Sequence, residues 1–121
     1  MKYETKIVGW GEEALSMLGE EFPLLVIFDQ NAPPELAEIC LLHERAEVKD
    51  APKAGDILQL GDNAYPIVAV GDEVLHTLRK MGHCTLMFKD DTVPEMPGCL
   101  MLRGKAPSAK EIKKGMTLAI R

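Results

Sequence analysis

The chain has 121 residues, 46% of them hydrophobic and 27% charged, proportions expected of one globular domain over residues 1–121. Its 14 Lys and Arg against 19 Asp and Glu give a net charge of −5, which leaves no surplus of cations for nucleic-acid phosphates or an anionic membrane surface. The longest apolar run, Leu24 to Phe28, is far below the ~20 residues that span a bilayer, and Met1 to Glu13 has no secretory pattern, so a cytoplasmic protein is expected.

Ten Gly and eight Pro cut the chain into short pieces, the punctuation of a β protein. Lys2 to Trp10 alternates as a strand with one polar face, and Glu12 to Leu18 carries Ala14, Leu15 and Leu18 at helical spacing. Leu24 to Phe28 predicts a buried strand stopped by Pro33 and Pro34, after which Pro34 to Glu38 suits a single helical turn. Ile39 to Val48 alternates as a further strand. Asp56 to Leu60 and Asn63 to Val70 flank Gly61-Asp62 as a hairpin. Val74 to Met81 has helical spacing, with Asp72 as the expected N-cap and Gly82 at the C-terminus. His83 to Phe88, Cys99 to Arg103 and Met116 to Ile120 complete the strands, with an acidic loop over Asp90 to Pro97. The spacing shows no regular β-α-β rhythm and no internal repeat. The expected fold is all-β, an antiparallel barrel-like or sandwich domain with two or three short helices.

Strand alternation places Ile39, Leu41, His43, Arg45 and Glu47 on one face, which changes at His43 from apolar to charged. A histidine at such a rim can keep its ring packed and still present one nitrogen to a visitor. The plainer reading is a half-exposed strand histidine bonded to a neighbour. His83 heads its own strand beside Gly82, and His76 falls on the exposed side of the predicted helix. Cys40, Cys84 and Cys99 are odd in number and lack C-x-x-C spacing, which fits free thiols in a reducing compartment. Cys40 with His43 and His83 with Cys84 would point to opposite strand faces, which disfavours a four-ligand metal site and leaves only a His43–His83 pair. No phosphate-binding glycine motif and no serine nucleophile elbow is present, and no cofactor is implied.

Several segments taken in order carry a family resemblance. They are Ala32-Pro33 to Glu38 followed by Cys40-Leu41-Leu42-His43, then Gly55 to Gly61, Tyr65 to Gly71, Leu78 to Leu86 and Pro97-Gly98. Together they resemble the glucitol/sorbitol-specific IIA component of the bacterial sugar phosphotransferase system, over nearly the whole chain. The resemblance implies a cytoplasmic phosphocarrier that meets the membrane only through its transporter. It would accept a phosphoryl group from the phosphocarrier protein HPr on His43, then pass it to the IIB part of the IIB/IIC sugar transporter. His83 is the implied supporting residue. Arg45, on the His43 face, is a further candidate for the phosphoryl oxygens. The alternatives are a non-enzymatic small β-barrel binding module in which His43 and His83 are structural, and a barrel that holds a metal through that pair.

Overall fold

The computed structural model describes every residue from Met1 to Arg121. Eight strands close on themselves: β1 (Tyr3–Trp10), β2 (Leu24–Asp29), β3 (Cys40–His43), β4 (Ile57–Leu60), β5 (Asn63–Val70), β6 (Cys84–Met87), β7 (Cys99–Leu102) and β8 (Thr117–Ile120). Their order around the barrel is β1-β3-β2-β6-β7-β5-β4-β8. Two short helices, α1 (Pro34–Ala37) and α2 (Val74–Met81), and 3-10 turns at Ser16–Gly19 and Ala109–Glu111 fill the connections. The barrel-like, strand-dominated expectation holds, with one refinement. Six of the eight pairings are antiparallel, whereas β2 with β3 and β6 with β7 run parallel.

Alternation drives closure. On β1 the side chains of Tyr3, Thr5 and Ile7 are buried while Glu4, Lys6 and Val8 face solvent. Leu25, Ile27, Leu41, Leu58, Leu86 and Leu100 are 0–1% exposed and meet in the same interior. Each such side chain contributes roughly 2–3 kcal/mol of burial, so the barrel needs neither disulfide nor metal. Cys40, Cys84 and Cys99 are free and buried. No helix is long and apolar enough to cross a membrane.

Three local expectations are corrected. β3 ends at His43 and does not run on to Val48; beyond it Glu44 N bonds back to Lys6 O of β1 and Lys49 N to Lys2 O just ahead of it. The expected helix over Glu12 to Leu18 is a turn leading into the 3-10 turn at Ser16, because too few residues separate Gly11 from Gly19 for a stable α-helix. The N-cap of α2 is Glu73, not Asp72, and it makes no side-chain capping bond.

The expectation of no internal repeat is also overturned. The β1–β3 pairing Ile7↔His43, Gly9↔Leu42, Trp10↔Leu41, with its bulge after Ile7, recurs in β5–β7 as Ile67↔Leu102, Ala69↔Met101, Val70↔Leu100, with its bulge after Ile67. The parallel pair Val26↔Cys40 recurs as Thr85↔Cys99. Backbone bonds repeat too: Gly11 N to Cys40 O matches Gly71 N to Cys99 O, and Ile7 O accepts from Gly115 N as Ile67 O accepts from Gly55 N. The two halves are related by a pseudo-twofold axis. Its sequence trace is faint but present: Lys6-Ile7-Val8-Gly9-Trp10-Gly11 against Pro66-Ile67-Val68-Ala69-Val70-Gly71, and Lys53-Ala54-Gly55-Asp56-Ile57-Leu58 against Lys113-Lys114-Gly115-Met116-Thr117-Leu118.

Gly11 and Gly71 are equivalent under this axis, and both allow one backbone to pass against another. A Cβ on Gly11 would lie 2.2 Å from Ala37 O and Glu38 O, and one on Gly71 would lie 2.2 Å from Pro97 O. Neither clash can be relieved by a side-chain rotation. Gly11→Ala and Gly71→Ala are therefore each expected to destabilise by about 3 kcal/mol or more, and by similar amounts, in urea unfolding.

One ion pair ties the N-terminus to the entry of β4. Lys2 Nζ donates to Asp56 Oδ2 (2.7 Å) and Ala51 O (3.1 Å), and Lys53 N donates to Asp56 Oδ2 (2.8 Å). Partial burial works against the charged carboxylate, but the bonds from Lys2 and Lys53 outweigh it and hold the Asp56 pKa below its ordinary value. A lowered folded-state pKa stabilises above the unfolded value and the gain is lost as pH falls through the folded one. Asp56→Asn is expected to cost up to about 1 kcal/mol at pH 7, a difference that fades below pH ~4 when urea melts are compared across pH.

Candidate functional site

Only three polar or charged residues are buried, Thr5, Asp29 and His43, and all three belong to one constellation. His43 ends β3 with its ring inside the barrel, fully buried. The rim position expected from alternation is corrected: the parity is right, since Leu41 and His43 both point inward, but β1 and the turn after α2 cover the ring. His43 Nδ1 lies 2.8 Å from Glu44 O, which also accepts from Thr5 Oγ1 at 2.7 Å. His43 Nε2 lies 2.7 Å from Gly82 O. A neutral imidazole has one N–H, so in that form one of the two carbonyls faces a lone pair. Tyr3 crosses the ring edge-on at 5.9 Å between centroids. Its Oη is the one buried side-chain polar atom without a partner.

Gly82 caps α2 in the left-handed conformation, φ 60°, and returns its N–H to Leu78 O. No other residue type suits the position. A Cβ there would sit 2.7 Å from His43 Cε1 and 3.1 Å from Asp29 Cβ, so the glycine both permits the αL cap and lets the backbone rest on the imidazole.

Asp29 ends β2 beside His43 in the parallel register. Its Oδ1 accepts from Asn31 N (2.9 Å) and its Oδ2 from Arg45 Nη1 (2.8 Å). Arg45 lies past the end of β3, yet its guanidinium turns back to the site and also donates to Lys80 O (3.0 Å) and Arg79 O (2.7 Å). Two clefts share Arg45 as a wall. One of about 440 Å³ is lined by Arg45 to Val48 and Arg79, and the other, of about 490 Å³, by Phe28, Asn31, Pro33, Leu36, Lys80 and Met81. Three cations, Arg45, Arg79 and Lys80, thus gather at the mouth of the site in a chain whose net charge is −5.

The other expected residues fall into place differently. His83 Nδ1 lies at hydrogen-bond distance from the acceptor Ile27 O (3.1 Å), its ring packs on Phe28, and no hydrogen bond joins it to His43. His76 is exposed on α2. No group of three or more His, Cys, Asp or Glu side chains is arranged to hold a metal ion, so the His43–His83 pair gains no third ligand. Burial pushes the Cys40 thiol up to about 11 and the Cys84 thiol up to about 12, which keeps both protonated and inert. Leu41 is core, whereas Leu36, which lines the second cleft, stands 40% exposed, and Ile39 stands 45% exposed just ahead of β3.

The pseudo-twofold axis supplies an internal control. Where the first half has His43, the second has Leu102; where it has Asp29, the second has Phe88; and Gly104 follows Leu102 as Arg45 follows His43. The barrel closes on buried Leu102 and Phe88 where the first half has His43 and Asp29, so those two polar side chains answer no demand of the fold. Asp29 and Tyr3 escaped the sequence reading as site residues, and Gly82 was read there as the end of a helix without its contact to His43. Asp29 sits in an Asp-Gln-Asn run that reads as a turn, and only the alignment of the two halves separates it from Phe88.

The comparisons with known proteins agree in one direction. The family model for the PTS system glucitol/sorbitol-specific IIA component matches residues 2–119. The PTS system glucitol/sorbitol-specific EIIA components of Escherichia coli (strain K12) and Shigella flexneri are each 35% identical over 105 residues, covering 87% of this chain and 84% of theirs. Among solved structures, the PTS system IIA component from Enterococcus faecalis V583 superposes with a TM-score of 0.78 at 19% identity, covering 96% of this chain and 97% of that one, a likeness of fold. The chain belongs to the glucitol/sorbitol-specific IIA component family of the phosphotransferase system.

Proposed function

We propose that the whole chain, residues 1–121, acts as one cytoplasmic phosphocarrier, taking a phosphoryl group from HPr on His43 and passing it to the IIB part of a transporter for glucitol/sorbitol or a related polyol. The observation that carries this reading is the one-sided polar trio: His43, Asp29 and Arg45 occupy positions that the second half fills with Leu102, Phe88 and Gly104. Family membership supplies the class of reaction.

In this reading the attacking tautomer carries its N–H on Nδ1, donating to Glu44 O, and has its lone pair on Nε2. Nε2 attacks the phosphorus of the donor's phosphohistidine; the new N–P bond forms as the donor N–P bond breaks, and that electron pair returns to the donor imidazole. The same exchange in reverse sense loads the acceptor. Charge spreads over three phosphoryl oxygens in such a transition state, so catalysis is mainly positioning and cation placement. Arg45, Arg79 and Lys80 suit that role. His83 supports the site indirectly by fixing the turn through Ile27 O. The exposed Leu36 and Ile39 suit transient docking of two successive partners.

The test is phosphorylation in vitro with phosphoenolpyruvate, enzyme I and HPr. Wild type is expected to gain one acid-labile, base-stable phosphoryl group, His43→Gln none, and His83→Ala one group at a reduced rate. Uptake by His43→Gln would place the acceptor elsewhere, and no uptake by wild type would refute the phosphocarrier reading.

A further inference from the structure

His43 Nε2 is closed off by backbone, not by a side chain that could swing aside. Gly82 O occupies the line of approach at 2.7 Å, so no phosphorus can reach the nitrogen while the turn after α2 stays where it is. A second position of that turn is a geometric requirement of any reaction at Nε2. What holds the first position is Arg45. Its Nη2 donates to Arg79 O and its Nη1 to Lys80 O, two of the carbonyls that a helix C-terminus leaves without intrahelical partners. The helix dipole favours a cation at that end. The other anchor is Asp29, whose carboxylate is 6% exposed and itself tied to Asn31 N. Arg45 therefore bridges the buried end of β2 to the last turn of α2, and Gly82 follows that turn directly, its N–H bonded to Leu78 O.

We propose that Arg45 is a latch with two positions. In the first it clamps Arg79 O and Lys80 O and keeps Gly82 seated on His43. In the second the clamp is released, the turn lifts, and the guanidinium, tethered two residues past His43, binds the oxygens of the phosphoryl group on Nε2. A planar fork suits both sets of partners, two adjacent carbonyls or two phosphoryl oxygens, and an ammonium does not. Arg45 is a positioning residue in the first state and a direct phosphoryl ligand in the second. The second position rests on the phosphocarrier reading, whereas the first does not.

Carbethoxylation by diethyl pyrocarbonate, followed residue by residue by peptide mass mapping, reads the first position without any partner protein. In wild type His43 is expected to react far more slowly than the exposed His76. Arg45→Ala raises the His43 rate about ten-fold or more, since each lost bond to a carbonyl shifts the opening equilibrium several-fold. Arg45→Lys recovers only part of the protection. Cys40, fully buried in the barrel wall, serves as the control for global loosening and stays unreactive to alkylation in all three proteins. An unchanged His43 rate in Arg45→Ala, or Cys40 reactivity rising in step with His43, overturns the latch. The second position is read from the lifetime of phospho-His43, expected to be several-fold shorter in Arg45→Ala than in wild type; equal lifetimes overturn it. A wild type that HPr does not phosphorylate refutes the phosphocarrier reading and the second position together, while the clamp still stands or falls on the carbethoxylation rates alone.

Discussion

Two carbonyl oxygens stand at the two nitrogens of one buried imidazole, and most of the site follows from satisfying them. Glu44 O is fixed because β3 ends there and Thr5 bonds the same oxygen. Gly82 O is fixed only as firmly as the turn that carries it, which depends on an αL glycine, on the last carbonyls of α2 and on Arg45. The imidazole thus meets a doubly bonded strand-end carbonyl on one side and, on the other, a carbonyl carried by a turn that Arg45 holds in place.

The pseudo-twofold barrel separates what the architecture demands from what it does not. Features found in both halves, such as the bulges after Ile7 and Ile67 and the close-approach glycines Gly11 and Gly71, serve closure. Features found in one half alone serve something else. By that criterion His43, Asp29 and Arg45 stand out, and Leu102 and Phe88 show what the interior accepts when no chemistry is asked of it.

The barrel was legible because alternation on Lys2 to Trp10 and the Gly61-Asp62 hairpin are local signals that tertiary context left intact. The parallel pairings were not, since the direction of β3 beside β2 depends on how α1 crosses, which no local pattern encodes. His43 was singled out as a candidate through the family resemblance and through the apolar-to-charged change along its strand, and the structure gives it the inward-facing parity that alternation predicts. Its burial was not legible, because Gly82 arrives from a segment distant in sequence. Arg45 was placed on the His43 face for a reason that fails, as the strand stops before it. It reaches the site all the same because its long side chain folds back to Asp29. The missed repeat shows how far two halves can diverge in sequence while keeping identical registers.

A closed barrel has no free strand edge, so neither partner can bind by extending the sheet with a strand of its own. Recognition is left to side chains and to the turns around one mouth. Under the proposed carrier function, donor and acceptor then need the same small patch and exclude each other, which makes the traffic sequential: the donor must leave before the acceptor can enter. For a carrier with a single reactive nitrogen, that topology imposes double-displacement kinetics in which no ternary complex forms.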